Sequence, residues 1–341
     1  MKVVIPVGDL HIGGGCKLLV ETAHALQNYG HDVELVMPQT GSVKYELACQ
    51  LKRVPSLSKE NIPGGDIVLP NFYSTFQPAY EAWAEQCIRF SMGFEPYWVP
   101  DQSAALWTYQ QPVPIISISR WLDRQIFQHV HKRTRVVNPG VDRRFFHPSP
   151  EAGEAKKRGE PAVILYIARD PKSGYALKGF DDFAASLNIL QQSFRDGFVV
   201  HLICPEAPLS LSGIPYRVSS PKSEGEMAEL YRSADLFVSS SWFEAFSFPP
   251  LEAMACGTPV VTTNSGGVLD YCVHRKNSLI CKPRDPHSLA AAMLRVLADQ
   301  SLQNQMVQGG LETAKRFTKE AFERQMVATL VEIHRQRSRW P

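Results

Sequence analysis

The run Val3 to Val7 is short, unbroken and apolar, the pattern of a strand buried on both faces in a parallel sheet. A glycine-rich turn, Gly8-Asp-Leu-His-Ile-Gly-Gly-Gly15, follows it. Leu18, Leu19, Ala23 and Leu26 then recur at helical spacing, Gly30-His31-Asp32 closes that helix, and Val33 to Met37 is a second apolar run. This β-α-β unit predicts an α/β chain of doubly wound, Rossmann-like design. Further strands are expected at Ile67 to Leu69, Cys87 to Ser91, Ile115 to Ile118 and Arg135 to Val137, with a helix from Arg120 to about His129 capped by Ser119.

The same rhythm restarts at Val163 to Ala168. A helix from Phe180 to Gln192 follows, then strands Val199 to Ile203 and Tyr216 to Val218, a helix Met227 to Ser233, and strands Leu236 to Ser239, Pro259 to Thr263 and Leu279 to Cys281. Late helices are expected from His287 to Ala298, about Leu302 to Gly309 and Lys319 to Gln336, with Thr318 as a cap for the last. A chain of 341 residues is long enough for two such domains. The reading is a first domain at 1–148, a linker at 149–160 poor in apolar residues, a second domain at 161–318, and a final helix at 319–341 that returns to the first. The two domains are expected to face each other across a cleft.

The 44% hydrophobic share is that of a globular protein, and a net charge of +2 implies no nucleic-acid partner. Seven cysteines are scattered without C-x-x-C spacing, so neither a disulfide framework nor a zinc site is indicated. With no leader or membrane-spanning run, a reducing cytosol is the expected home.

The chemistry concentrates between Ser241 and Gly267. Pro249-Pro250 suits a helix start and Gly257 the residue just past its end, so the helix is short and its positive end can hold a diphosphate. Glu244 lies in the preceding loop, and Glu252 lies about one turn (~5.4 Å) into the helix. Carboxylates beside a phosphate site accept hydroxyls, so the ligand has phosphate in its middle and polyols on both sides. Arg169 and Lys178 stand at the carboxyl edge of the domain's first strand, where they can neutralise that diphosphate; with no D-x-D or histidine cluster, no metal or other cofactor is called for.

In the first domain, Gly13, Gly14 and Gly15 offer backbone N–H groups to a phosphate or sugar oxygen. They do not complete a dinucleotide fingerprint, because Leu18 occupies its last position. Glu95 stands among Phe94, Tyr97 and Trp98. Loss of hydration there would raise its pKa and suit a base or an acceptor-hydroxyl binder; a salt-bridged loop glutamate is the equal alternative.

These motifs resemble one family. Glu244 and Glu252, the run Pro249 to Val261, Ser265-Gly-Gly267, Tyr231 to Asp235, Arg169 with Lys178-Gly179, and Asn138 to Asp142 are similar to retaining nucleotide-sugar glycosyltransferases of group 1 with the GT-B fold. The resemblance implies that Arg169 and Lys178 stabilise the leaving diphosphate, Glu252 binds the ribose and Glu244 lies by the donor sugar. It implies base contacts at Val218 to Ser220, amide contacts from Ser247 and Phe248, and transfer to a carbohydrate or lipid-linked acceptor with retained anomeric configuration. Three features depart from the family pattern. Ala168 replaces a glycine, the loop from Arg169 to Lys178 is long, and Ser91 to Pro96 stands where many relatives carry a histidine. His11 could substitute for that imidazole, although a lone loop histidine is more often a polar surface residue. The passage at 91–96 is similar to bacterial rhamnosyltransferases that build surface glycans, which makes dTDP-rhamnose a candidate donor beside UDP- and GDP-sugars. A GT-B epimerase or hydrolase, or a non-catalytic binder of nucleotide sugars, are the rival readings. The tail His334 to Trp340 combines cations with an aromatic and suits peripheral contact with anionic lipid.

Overall fold

The computed structural model describes residues 1–149, 160–195, 197–204 and 208–337. Two compact units divide the chain: Met1–Pro139 with Glu320–Pro341, and Gly140–Lys319. The division falls ahead of segment 149–160, where the sequence places a linker; of that segment only Ser149 and Glu160 are among the described residues.

The first unit opens with β1 (Lys2–Pro6), α1 (Gly14–Asn28), β2 (Asp32–Pro38), β3 (Gln50–Val54) and β4 (Ile67–Val68). It continues with α2 (Tyr73–Trp83), β5 (Arg89–Ser91), α3 (Gln102–Gln110), β6 (Ile115–Ser117), α4 (Arg120–Val130) and β7 (Arg135–Val136). All pairings are parallel, in the orders β3-β2-β1-β4 and β5-β6-β7, and a parallel bridge from Val68 to Cys87 joins the two ladders. The order reverses between β1 and β4, so the crevice at their carboxyl ends is where a doubly wound sheet binds ligands.

Three elements escape the sequence reading. β3 is an edge strand whose Leu-Lys-Arg core is largely exposed, so it lacks the apolar run that marks a buried strand. α2 carries Pro78 in its interior, and the few buried residues of α3 give it little amphipathic signal. The Ser119 cap is present: its hydroxyl accepts the Leu122 N–H at 3.0 Å.

The second unit contains β8 (Ala162–Ile167), α5 (Phe180–Ser193), β9 (Phe198–Ile203), β10 (Tyr216–Ser219), α6 (Glu224–Arg232) and β11 (Leu236–Ser239). It is completed by α7 (Phe248–Ala255), β12 (Val260–Thr263), β13 (Leu279–Cys281), α8 (Pro286–Ala298) and α9 (Gln300–Ala314). Its six parallel strands run β10-β9-β8-β11-β12-β13, which places the switch point between β8 and β11. Tyr166 on β8 stacks on Phe183 of α5 with centroids 3.8 Å apart, inside a core that also takes Val200, Leu202, Val238, Leu289 and Met293. α6 begins earlier than expected because Ser223 caps it, accepting the Glu226 N–H at 3.1 Å. α9 runs beyond Gly309 because Met306, Gly310, Thr313 and Ala314 continue one buried stripe.

The last helix, α10 (Lys319–Arg337), packs within the first unit: Arg135 pairs with Glu332 at 2.9 Å and Arg337 donates to the Cys87 carbonyl at 2.8 Å.

Candidate active site

Two loops leave the carboxyl ends of β8 and β11 at the switch point, and the second unit builds its site from them. The first loop carries Arg169, whose guanidinium carbon lies 3.8 Å from the centre of the Tyr175 ring. It ends in the 3₁₀ turn Ala176–Lys178 and then Gly179, which has φ 69° and stands so close to β11 that a Cβ would lie 2.2 Å from the Ser240 carbonyl oxygen. Ser240 fastens this turn from the other side. Its hydroxyl donates to the Gly179 carbonyl at 2.8 Å, and the buried Tyr166 hydroxyl lies 2.7 Å from Ser240 Oγ and 3.1 Å from the Lys178 carbonyl. Burial pushes the Tyr166 phenol well above its ordinary pKa, so it stays protonated and able to donate.

The second loop carries Glu244. Its N–H donates to the Ser265 carbonyl at 2.7 Å and its carbonyl accepts the Gly267 N–H at 2.8 Å, a two-bond ladder that ties the loop to the end of β12. Gly267 is required there, because a Cβ would sit 1.9 Å from the Ala245 carbonyl oxygen. Fastened on both sides, the loops bring Lys178 Nζ to 2.7 Å from Glu244 Oε1. The carboxylate is 15% exposed and the ammonium 37%, so the pair is open to a ligand.

Behind Glu244, the Phe246 ring is buried against Tyr271 and Phe317 and anchors the entry to α7. Ser247 caps the helix at φ 71°, a conformation that costs a non-glycine residue, and the Tyr271 hydroxyl holds its carbonyl at 2.6 Å. Pro249 and Pro250 are the second and third helical residues and carry no N–H. Of the four donors a helix end normally exposes, Ser247 and Phe248 therefore supply the two that exist here. Glu252 lies inside the first turns, buried to 9% exposure, and accepts the Tyr231 hydroxyl at 2.9 Å. Burial and the neighbouring Glu252 charge push the Tyr231 phenol up, keeping it a donor. Sequence reasoning used Tyr231 only as part of a motif; its role as the partner of Glu252 needed the tertiary structure.

Val218 lies apart from these loops, on the edge strand β10 with β9 between it and β8. It is 37% exposed, and the neighbouring Ser219 and Ser220 are fixed by His201 Nε2 at 2.7 Å and by the Cys204 carbonyl at 2.9 Å.

Glycines 13 to 15 and Glu95 belong to the first unit. The Gly13 N–H donates to the Tyr45 hydroxyl at 3.0 Å. Gly14 and Gly15 are exposed at the start of α1. A Cβ on Gly15 would lie 3.7 Å from the Met92 methyl, so packing does not demand glycine there. Glu95 is 2% exposed, pairs with the wholly buried Arg89 at 2.8 Å and accepts the Tyr73 N–H at 3.0 Å. Burial raises its carboxyl pKa, with Arg89 opposing the shift. Of the two readings the sequence allows for Glu95, the geometry matches the ion-paired one. His11 is exposed, with Nδ1 3.1 Å from Asp9 Oδ1. Among the described residues, no group of three or more His, Cys, Asp or Glu could hold a metal ion, and no helix is long and apolar enough to cross a membrane.

Residues 216–313 match the family model for glycosyl transferases group 1. The chain is 30% identical over 218 residues to a D-inositol 3-phosphate glycosyltransferase of Thermobispora bispora, covering 57% of this chain and 50% of the relative. The chain thus spans about half the length of the curated relatives it matches. In fold it is similar to sucrose-phosphate synthase of Thermosynechococcus elongatus, with TM-score 0.78, 18% identity and 98% of each chain covered. It is also similar to Anabaena HepE solved in complex with UDP-glucose, with TM-score 0.76, 15% identity, and 97% of this chain and 100% of that one covered. By fold the chain is a GT-B protein of two Rossmann-like units, and over residues 216–313 it is matched by the glycosyl transferases group 1 family.

Proposed function

We propose that the protein is a retaining glycosyltransferase that moves a sugar from a nucleoside diphosphate to a hydroxyl of a carbohydrate or lipid-linked acceptor, in the assembly of a bacterial surface glycan. The observation that carries this reading is the contact of Lys178 with Glu244 at the switch point, beside the helix end at Ser247 and Phe248. The departing diphosphate gains negative charge as the glycosidic bond breaks. Lys178, Arg169 and the two backbone N–H groups are fixed donors for that charge and need no reorganisation at the moment of reaction. Glu244 accepts hydroxyls of the donor sugar, and Glu252, held by Tyr231, accepts those of the ribose. The exposed edge at Val218 meets the base. Retention follows if the leaving phosphate takes the acceptor proton on the face from which it departs; the protein then acts mainly through positioning and charge, without a metal or other cofactor.

The donor is linked to UDP, dTDP or GDP, with dTDP-rhamnose among the candidates. The UDP-glucose bound by a structural neighbour supports including UDP-sugars, and the names of the curated relatives support including inositol 3-phosphate among acceptors. Peripheral membrane contact is part of the reading. What supports it, besides the exposed Arg335 of the tail, whose Arg337 is turned inward onto Cys87, is the segment 120–135, with five Lys or Arg and one Asp in a chain whose net charge is only +2. The segment itself carries the exposed Phe127, on which Arg133 stacks at 4.0 Å, and its Gln125 accepts the hydroxyl of the exposed Tyr97 at 2.6 Å, next in the chain to the exposed Trp98. Residues 338–341 of the tail lie outside the described residues.

The test is a thermal-shift screen of UDP, dTDP and GDP and their sugars, followed by turnover with and without acceptor. Stabilisation by one nucleotide series, lost on replacing Arg169 and Lys178, is expected, with acceptor-dependent release of the nucleoside diphosphate and an unchanged anomeric configuration by NMR. No stabilisation by any of them, or turnover that ignores both substitutions, overturns the reading.

A further inference from the structure

We infer that Trp242 is a positioning residue that locks the lysine turn to the glutamate loop, and so sets the separation of Lys178 and Glu244. This rests on the site reading above for its catalytic consequence, though not for its structural content.

Trp242 stands two residues before Glu244 and is held on three sides. Its backbone N–H donates to the Leu177 carbonyl at 2.8 Å, directly beside Lys178. Its indole N–H donates to Asp182 Oδ2 at 2.6 Å, in the first turn of α5, the helix that the lysine turn feeds. Its ring face carries the Arg284 guanidinium, whose central carbon lies 4.0 Å from the ring centre. Its partners come from two connections of the sheet, after β8 and after β13, and Trp242 itself stands in a third, after β11.

Each partner has a reason to be where it is. Asp182 is favoured in the first turn of α5 by the helix dipole, and as a carboxylate it makes a stronger, shorter bond to the indole than a neutral acceptor would. A rigid, two-torsion side chain reaches across the gap at low entropic cost. Tyr166 and Ser240 fasten the lysine turn from beneath, through the Lys178 and Gly179 carbonyls. Trp242 fastens it from the glutamate side. Without the indole the two loops keep their ties through Ser240 and the residue-242 backbone N–H but lose the side-chain bond to α5, and the ion pair between Lys178 and Glu244 is held less closely to one distance.

Three variants isolate the effect. Trp242→Phe keeps a ring under Arg284 and removes only the indole donor, and Asp182→Ala removes the acceptor, whereas Asp182→Asn retains an acceptor oxygen. Amide hydrogen exchange by mass spectrometry on the full chain reads the lock directly. Exchange across 176–180 is expected to quicken roughly fivefold in Trp242→Phe and in Asp182→Ala, with Asp182→Asn close to wild type and other segments unchanged. The functional readout is a cycle with Lys178→Ala, using UDP, dTDP and GDP as probes. Lys178→Ala should weaken nucleotide binding less in the Trp242→Phe background than in the wild type; in turnover of the sugar nucleotide that the screen selects, Trp242→Phe should lower kcat more than it raises KM, since a misplacement of about 1 Å costs rate steeply. Unchanged exchange across 176–180, or full additivity of the two substitutions, overturns the inference. If the wild type binds no nucleotide, the proposed function falls, and the exchange measurement still decides the role of Trp242.

Discussion

Lys178 Nζ lies 2.7 Å from Glu244 Oε1, so the cation that faces the proposed diphosphate already shares its charge with a carboxylate. A free nucleoside diphosphate carries more negative charge on its terminal phosphate than the sugar ester it comes from. Glu244 should therefore disfavour the product more than the donor, and assist its release. Glu244→Gln is expected to bind the free diphosphate roughly fivefold more tightly, the scale of a partly exposed ion pair, while turnover collapses. Isothermal titration with the diphosphate selected by the screen checks this; an unchanged or weaker affinity counts against it.

Gly267 and Gly174 separate contact from conformation. Gly267→Ala drives a Cβ to 1.9 Å from the Ala245 carbonyl and should cost about 3 kcal/mol or more, the range of severe core lesions. Gly174 has φ 89° and nothing within 4 Å of a Cβ, so Gly174→Ala should cost only about 1–2 kcal/mol. Urea unfolding of both variants, read as midpoint shifts, gives the comparison.

His201 supplies a pH dependence. It is 4% exposed, and burial followed by the nearby Arg217 charge lowers its pKa from 6.5 to about 4. Between those values the unfolded chain binds a proton that the folded chain resists, so stability declines as pH falls from about 6.5 to about 4. His201→Gln, which cannot titrate, should flatten that part of the stability profile. An unaltered slope would show that His201 is not its source.

The basic face of α4 gives a fourth test. Arg120→Glu with Arg124→Glu reverses two charges on the surface proposed to meet lipid, each worth about 1 kcal/mol near an anionic bilayer. Co-sedimentation with vesicles containing phosphatidylglycerol should fall at least about tenfold, while vesicles of phosphatidylcholine alone retain little of either protein. Equal binding of both proteins to both vesicles would remove this surface from the proposal.

The placement of Arg169, Lys178, Glu244 and Glu252 at strand ends and in the first turns of a helix was legible because residue type, local spacing and strand ends carry that information. A proline pair marks a helix start, a glycine marks its end, and a parallel sheet collects ligands where its order reverses. Glu95 was legible only in part. Its burial followed from the aromatics around it, but its partner Arg89 lies on the preceding strand, where a charged residue reads as an interruption of the apolar run. β3 was missed because a solvent-facing edge strand has no unbroken apolar run, and α2 because its proline reads as a stop.

Taken alone, the chain of residues determined the alternation of strand and helix, the two Rossmann-like units and the loops that carry polar chemistry, since these follow from patterns within a few residues of one another. Tertiary structure decided which groups meet. Lys178 and Glu244 are 66 positions apart, and Asp182 and Trp242 are 60 apart. Nothing local encodes those meetings. They exist because β8 and β11 lie side by side in the sheet, so two loops distant in the chain leave it at neighbouring points.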